Sequence, residues 1–328
     1  MPRPRLSHFA CVALLLVARS AAAEEAKHGE AKEPAEKEAE PEWGIDLDVV
    51  AGATTADVLT AGRPGPVEQP PANVFDSTRI VAYSLLVGVE RNLGPRFKIG
   101  ARMPFVTATL TSRSGLAESR SVSVAGNLEF EAAYVLLHGK SWSLVATFEV
   151  ALPTAGGNEP PSESEVRNEP TRRFDYPRYD SFAAVHAGAA VHGAYESALF
   201  EPGNLGLIPK LAAYFRFGKL SVSPLVKLEN LFDLRGENEE VYINELVVGV
   251  RAGYRAIHAV EPGVRLWVRE LHEHVHADDS YSTVAVVEPY VRFHVGAVQP
   301  SVSAILPFAG DLADAKTFGV RAGIAAEF

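Results

Sequence analysis

"KTFGVRAGIAAEF", residues 316–328, closes the chain on an apolar ring. Phe318, Val320, Ala322, Ile324, Ala326 and Phe328 fall on every second residue, with Gly319, Arg321, Gly323 and Glu327 between them. A period of two puts one set on each face of a strand. Chain termini usually fray into polar tails, because a free end gains little by burying a ring. What the apolar face touches therefore decides the fold.

The same period returns along the chain. "WGIDLDVVA" sets Trp43, Ile45, Leu47 and Val49 against Asp46 and Asp48. "VAGNLEFEAAYVL" sets Leu128, Phe130, Ala132 and Tyr134 against Glu129 and Glu131, and "WSLVATFEVAL" sets Trp142, Leu144, Ala146, Phe148 and Val150 against Glu149. Thirteen such segments are read, near 43–51, 79–91, 96–110, 120–137, 142–153, 179–195, 204–217, 220–232, 241–254, 261–271, 281–294, 297–307 and 316–328. No segment shows a sustained helical period, so the expectation is all-β.

Sandwich strands run about 5–6 residues, whereas a tilted membrane strand needs about 9–11. Most segments here have 11 or more residues, and their polar faces are rich in Gly, Ala and Ser, which suits a crowded lumen. Short connections (92–95, 138–141, 218–219, 294–296) alternate with long ones (52–78, 111–120, 154–178, 233–240, 272–280, 308–315), as in an outer-membrane barrel. Trp43, Phe97, Trp142, Phe217 and Phe328 flank the short turns, where an interfacial girdle sits. The expected fold is a transmembrane antiparallel up-and-down β-barrel. With both ends on one side the strand count is even. It is fourteen if residues 179–217 hold three strands and twelve if one weak segment drops out. The range is 12–14, leaning to fourteen.

The N-terminal residues read as a signal peptide: Arg3 and Arg5, an apolar run from Phe9 to Val17, and Ala21-Ala22-Ala23 before the expected cut. The expected organisation is 1–23 signal peptide, 24–42 acidic disordered leader and 43–328 barrel. The net charge of −10 becomes −13 when Arg3, Arg5 and Arg19 are removed. An acidic exported chain is a poor nucleic-acid binder. Its one cysteine, Cys11, lies in the signal peptide, which leaves no disulfide framework in the remainder.

The strand ending "FEVALPTAGG", the preceding "GNLEFEAAYVL" and the closing "PFAGDLADAKTFGVRAGIAAEF" resemble one broad bacterial group, the transporter-like outer-membrane barrels grouped with the phenol-degradation meta-pathway porin. Pro153-Thr154-Ala155-Gly156 departs by one residue from the Pro-Thr-Gly usual there. The resemblance implies an outer-membrane channel or transporter for small, often hydrophobic organic solutes. The C-terminal Phe328 likewise looks like the signal read by the barrel assembly machinery. Expected partners are outer-membrane lipids, that machinery and a small organic solute, with no cofactor.

Acids on inward faces cluster early (Asp46, Asp48, Glu129, Glu131, Glu149) and bases dominate later (Arg251, Arg265, Arg269, Arg292, Arg321), with Lys210, Arg216, Lys227, Glu229, Glu245 and Glu288 mixed between. Facing one another they would set a transverse field that selects solutes. Paired with neighbours they would form a ladder that satisfies buried charge. The 154–178 loop is read either as an inward constriction or as a surface loop. In "LHEHVHADD", His272, His274, His276 and Asp278 recur at every second residue, a donor set that suits Zn²⁺, Ni²⁺ or Cu²⁺ if the strand continues. His186 and His192, six apart on one face of an expected strand, read as interior polar residues. No nucleophile elbow, triad spacing or phosphate-cradling loop is present. The expectation is therefore a channel and not an enzyme. The alternatives are a plugged barrel with a surface-binding or structural role, metal-binding through residues 272–279, and an outer-membrane enzyme.

Overall fold

The computed structural model describes residues 42–55, 79–111, 119–156, 176–234, 242–274 and 280–328. The expected signal peptide and nearly all of the acidic leader lie outside them. Six strands precede the longest described helix: β1 (Trp43–Thr55), β2 (Arg79–Asn92), β3 (Phe97–Thr111), β4 (Arg120–Ala125), β5 (Leu128–His138) and β6 (Trp142–Leu152). Helix α1 (Tyr176–Val191) and a single 3₁₀ turn (Ser197–Leu199) follow. Then come β7 (Asn204–Phe217), β8 (Leu220–Asp233), β9 (Tyr242–Tyr254), β10 (Val260–His274), β11 (Ser280–Phe293), β12 (Val298–Ala309), the short helix α2 (Asp311–Asp314) and β13 (Phe318–Glu327).

Consecutive strands pair antiparallel except β4 and β5, which both pair with β3, and β13 returns to β1, which closes the barrel. Phe328 and Trp43 exchange backbone hydrogen bonds of 2.9 Å at the seam. β4 and β5 share one place in the wall. β4 pairs with Phe105–Leu110 of β3, and β5 pairs with Phe97–Arg102. Between them Gly126-Asn127 shifts the register by one residue, so inward positions are even-numbered in β4 and odd-numbered in β5. The wall thus has twelve strand positions, the lower end of the expected range, and the lean to fourteen is corrected.

The miscounted segment is 179–195, which is helical. Apart from His186 and His192, "FAAVHAGAAVHGA" is small or apolar on both alternating faces, so a period of two has only a weakly marked face to select. Alanine favours the helix intrinsically, and a helix apolar all round is one that is surrounded. Pro177 stands in the first turn, where its missing N–H costs nothing. Gly193, at φ 70°, ends the helix: its N–H reaches Ala190 O at 2.8 Å and the Ala194 N–H reaches Ala189 O at 2.9 Å.

The outer face carries the apolar residues of the period-two pattern. Along β3, Phe97, Ile99 and Phe105 point outward with Ala101 and Met103 between them, a nine-residue apolar band that matches the roughly 9–11 residues of a tilted membrane strand. Above it the face turns polar, where Thr107 and Thr109 bond Ser123 and Ser121 across the β3–β4 pair, both at 2.9 Å. Trp43, Phe97, Phe217 and Phe328 lie exposed at the short-turn rim.

Candidate functional site: the plugged lumen

Residues 176–203 of the connection from β6 to β7 enter the lumen, and residues 157–175 of the expected 154–178 loop lie outside the described residues. α1 packs along the inner wall of β4, β3, β2, β1 and β13. Arg120 on β4 pairs with Asp180 at 3.1 Å near its start. Val191, at its end, touches a stretch of wall built from glycine: a Cβ on Gly319 would stand 2.3 Å from the Val191 carbonyl oxygen, and one on Gly52 would stand 2.7 Å from Val191 Cγ1. Side chains there would hold the helix away from the wall.

Beyond α1 the chain crosses to the other wall. Trp267 of β10 donates from Nε1 to Gly193 O at 3.0 Å. Lys227 of β8 donates to Tyr195 O, and Glu229 accepts from the Ala198 N–H at 3.0 Å. Asn127, at the β4–β5 break, ties the return: its backbone N–H donates to Leu199 O and its side-chain amide to Ala198 O and Glu201 O, each at 2.7 Å. Around this segment the long-loop half of the lumen is apolar. Val50, Ile80, Val106, Trp267, Val286 and Ile305 of the wall form one buried cluster with Phe182, Leu199 and Phe200 of the insert. The inserted segment therefore fills the cross-section at that depth.

Below the insert the lining is charged. Glu129 on β5 accepts from Arg102 of β3, which also bonds Glu196 of the insert at 2.6 Å and stands 3.7 Å from Glu149 of β6. Lys210 completes the group on Glu149. Lys227 pairs with Glu229 at 2.5 Å, and Arg269 grips Glu245 with two donors. Glu288 serves Arg265 at 2.9 Å, Arg321 at 3.4 Å and the Ser303 hydroxyl at 2.6 Å. Asp48 stands 4.0 Å from Arg321. Burial acts to raise the Glu196 carboxyl, but Arg102, with a smaller contribution from His192, outweighs it and holds the group well below the usual carboxylate range.

Asp46, Asp48, Glu129, Glu131, Glu149, Arg251, Arg265, Arg269, Arg292 and Arg321 occupy inward positions of their strands. In mid-lumen they do not face one another across a gap: Glu129, Glu149, Arg265 and Arg269 each have an opposite charge on a neighbouring strand, and Arg321 has Asp48 on β1 and Glu288 two strands away on β11. Their partners are Arg102 of β3 together with Lys210, Glu245 and Glu288, three of the charges expected between the early acids and the late bases. Of the His-rich set, His272 and His274 lie in β10 opposite Tyr281 and Tyr242, while His276 and Asp278 lie outside the described residues. His186 lies within α1, and His192 follows it, buried, with Nδ1 3.3 Å from Glu196. Glu196, Asn127 and Trp267 were not legible as functional residues, because their contacts exist only once residues 176–203 enter the lumen.

By sequence, neither a family model nor a curated protein matches the chain. By fold, it is similar to an outer-membrane channel from Pseudomonas putida F1, at 13% identity and a TM-score of 0.55, over 91% of this chain and 100% of that one. The β domain of the Bordetella autotransporter BrkA (12% identity, 88% and 100% covered, TM-score 0.46) and the KdgM porin in complex with disordered oligogalacturonate (11%, 87% and 99%, 0.41) also match, but are too distant to bear on this chain. The chain thus shares the closed β-barrel fold of that channel structure.

Proposed function

We propose that the protein is a bacterial outer-membrane channel for small organic solutes whose passage is closed by residues 176–203. The observation that carries this reading is the apolar lining of the long-loop half. Val50, Ile80, Val106, Val286 and Ile305 are buried there with help from the insert. With the insert withdrawn they would form an apolar throat around an open lumen, suited to solutes with a hydrophobic body. The sequence resemblance to barrels grouped with the phenol-degradation meta-pathway porin points the same way. Lipid meets the apolar outer face, Phe328 serves as the signal for the assembly machinery, and no reaction is assigned to the chain.

A second reading, a permanently plugged barrel with a surface role, is favoured by the close fit of Val191 against Gly319. Planar-bilayer recording separates the two. Residues 24–328, and the same chain with 176–203 replaced by a short Gly-Ser linker, are refolded and compared. A channel gives rare steps in the first and sustained conductance in the second. A folded, linker-replaced barrel that stays silent rejects the channel.

A further inference from the structure

In mid-lumen Arg102, Lys210, Lys227 and Arg269 each stand within 2.7 Å of an acid. The lumen wall of β9–β11 towards the short-turn rim departs from that rule. Arg251 and Arg265 are directly opposite each other on β9 and β10, both inward. Like charges placed so are unfavourable unless something neutralises them. Arg265 has Glu288 at 2.9 Å. Arg251 lies over the Tyr290 ring (4.7 Å), donates from Nε to its hydroxyl at 3.0 Å, and meets Glu261 only at 3.5 Å. Glu261 is shared with His294 at 3.2 Å. Arg292, on β11 opposite Glu261, has no side-chain hydrogen bond or ion pair among the described residues. One carboxylate therefore serves a wall that carries Arg251, Arg292 and His294. Arg251 and Arg292 are both partly exposed to the lumen, below the insert.

We infer that Arg292 and Arg251, with the Tyr290 hydroxyl, form a subsite for the carboxylate of a solute entering or leaving at the short-turn mouth. The inference rests on the channel reading and names its solute class: a monocarboxylate with an apolar body. The planar guanidinium fork matches a carboxylate, and the apolar throat above passes the rest of the molecule when the insert is withdrawn. A small neutral alcohol lacks the first feature, and inorganic phosphate lacks the second.

The test is calorimetric titration of the refolded barrel at low salt with benzoate, benzyl alcohol and inorganic phosphate. Saturable benzoate binding is expected, weakened about tenfold or more in Arg292→Gln and in Arg251→Gln. Arg292→Lys, which keeps the charge but not the fork, should recover only part of it, and Lys98→Gln, whose lysine sits with Glu90 on the other wall, should leave it unchanged. Heat-modifiable gel mobility shows that each variant is folded. No saturable benzoate heat, equal affinity in Arg292→Gln, or preference for phosphate or benzyl alcohol overturns the subsite. Binding at this mouth needs no permeation. Failed binding with intact conductance removes the subsite alone, and binding in a barrel that stays silent without its insert removes the channel.

Discussion

Arg102 on β3 donates to Glu196 at 2.6 Å across 94 residues of sequence, and this contact fixes the lowest point of the inserted segment to the wall. Arg102 keeps Glu129 as a partner if Glu196 is lost, whereas Glu196 has only His192 besides Arg102 as an ion-pair partner among the described residues. The contact is thus asymmetric: breaking it frees the insert more than it harms the wall.

Glu196→Gln should therefore raise the frequency of channel openings while leaving barrel folding intact. The depressed Glu196 carboxyl adds a pH corollary. Its stabilisation is present above the unfolded value of about 4.3 and lost only as pH falls through the lower folded value, so mild acid leaves the Arg102 contact charged. Single-channel recordings that are the same for Glu196→Gln and the parent chain would refute the latch.

Gly188 faces the wall from within α1, and a Cβ there would come within 2.8 Å of Val106 Cγ2. Gly188→Leu overfills that contact, at a cost of about 1–3 kcal/mol, while improving helix propensity. Amide exchange across 182–191 should speed up while the strands stay protected. Unchanged protection would mean that the helix is not held by this fit.

The wall was legible because lipid outside and a polar lumen inside impose a strict period of two. Twelve of the thirteen segments read by that period are wall positions, including the interrupted 120–137. The insert was not legible for the opposite reason. In "FAAVHAGAAVHGAYESALF" every side is covered, so the hydrophobic period marks no helical face, and only the alanine content favours a helix. The Schellman-type stop at Gly193-Ala194 was the available signal. The pairing of lumen charges was hidden too, since Arg102 meets Glu129 and Glu149 only through the barrel's register.

Phe328 joins Trp43 at the seam through two backbone hydrogen bonds, while its ring stays exposed at the rim. Any residue can make the backbone bonds, so Phe328→Ser should change the stability of refolded barrel little. Assembly in cells should instead fall several-fold if the ring is read as a signal. The amount of folded barrel in outer-membrane fractions measures this, and an undiminished yield would count against that role.

Arg269 and Glu245 form the tightest two-point contact in the lumen, and the Glu245 side chain is only 2% exposed. Removing one member leaves a buried, uncompensated charge, which costs about 3–5 kcal/mol, whereas apolar replacement of both is often close to neutral. Arg269→Met should therefore lower the unfolding midpoint strongly, and Arg269→Met with Glu245→Leu should recover most of the loss. Glu229, directly opposite Glu245 on β8, sharpens the expectation, because it has Lys227 of its own but repels a Glu245 left unpaired. Denaturant titration of the four members of this cycle in one detergent measures the coupling. If the two single changes simply add, the pair does not stabilise the wall as a unit, and its place in the lumen would have to be explained by the solute path instead.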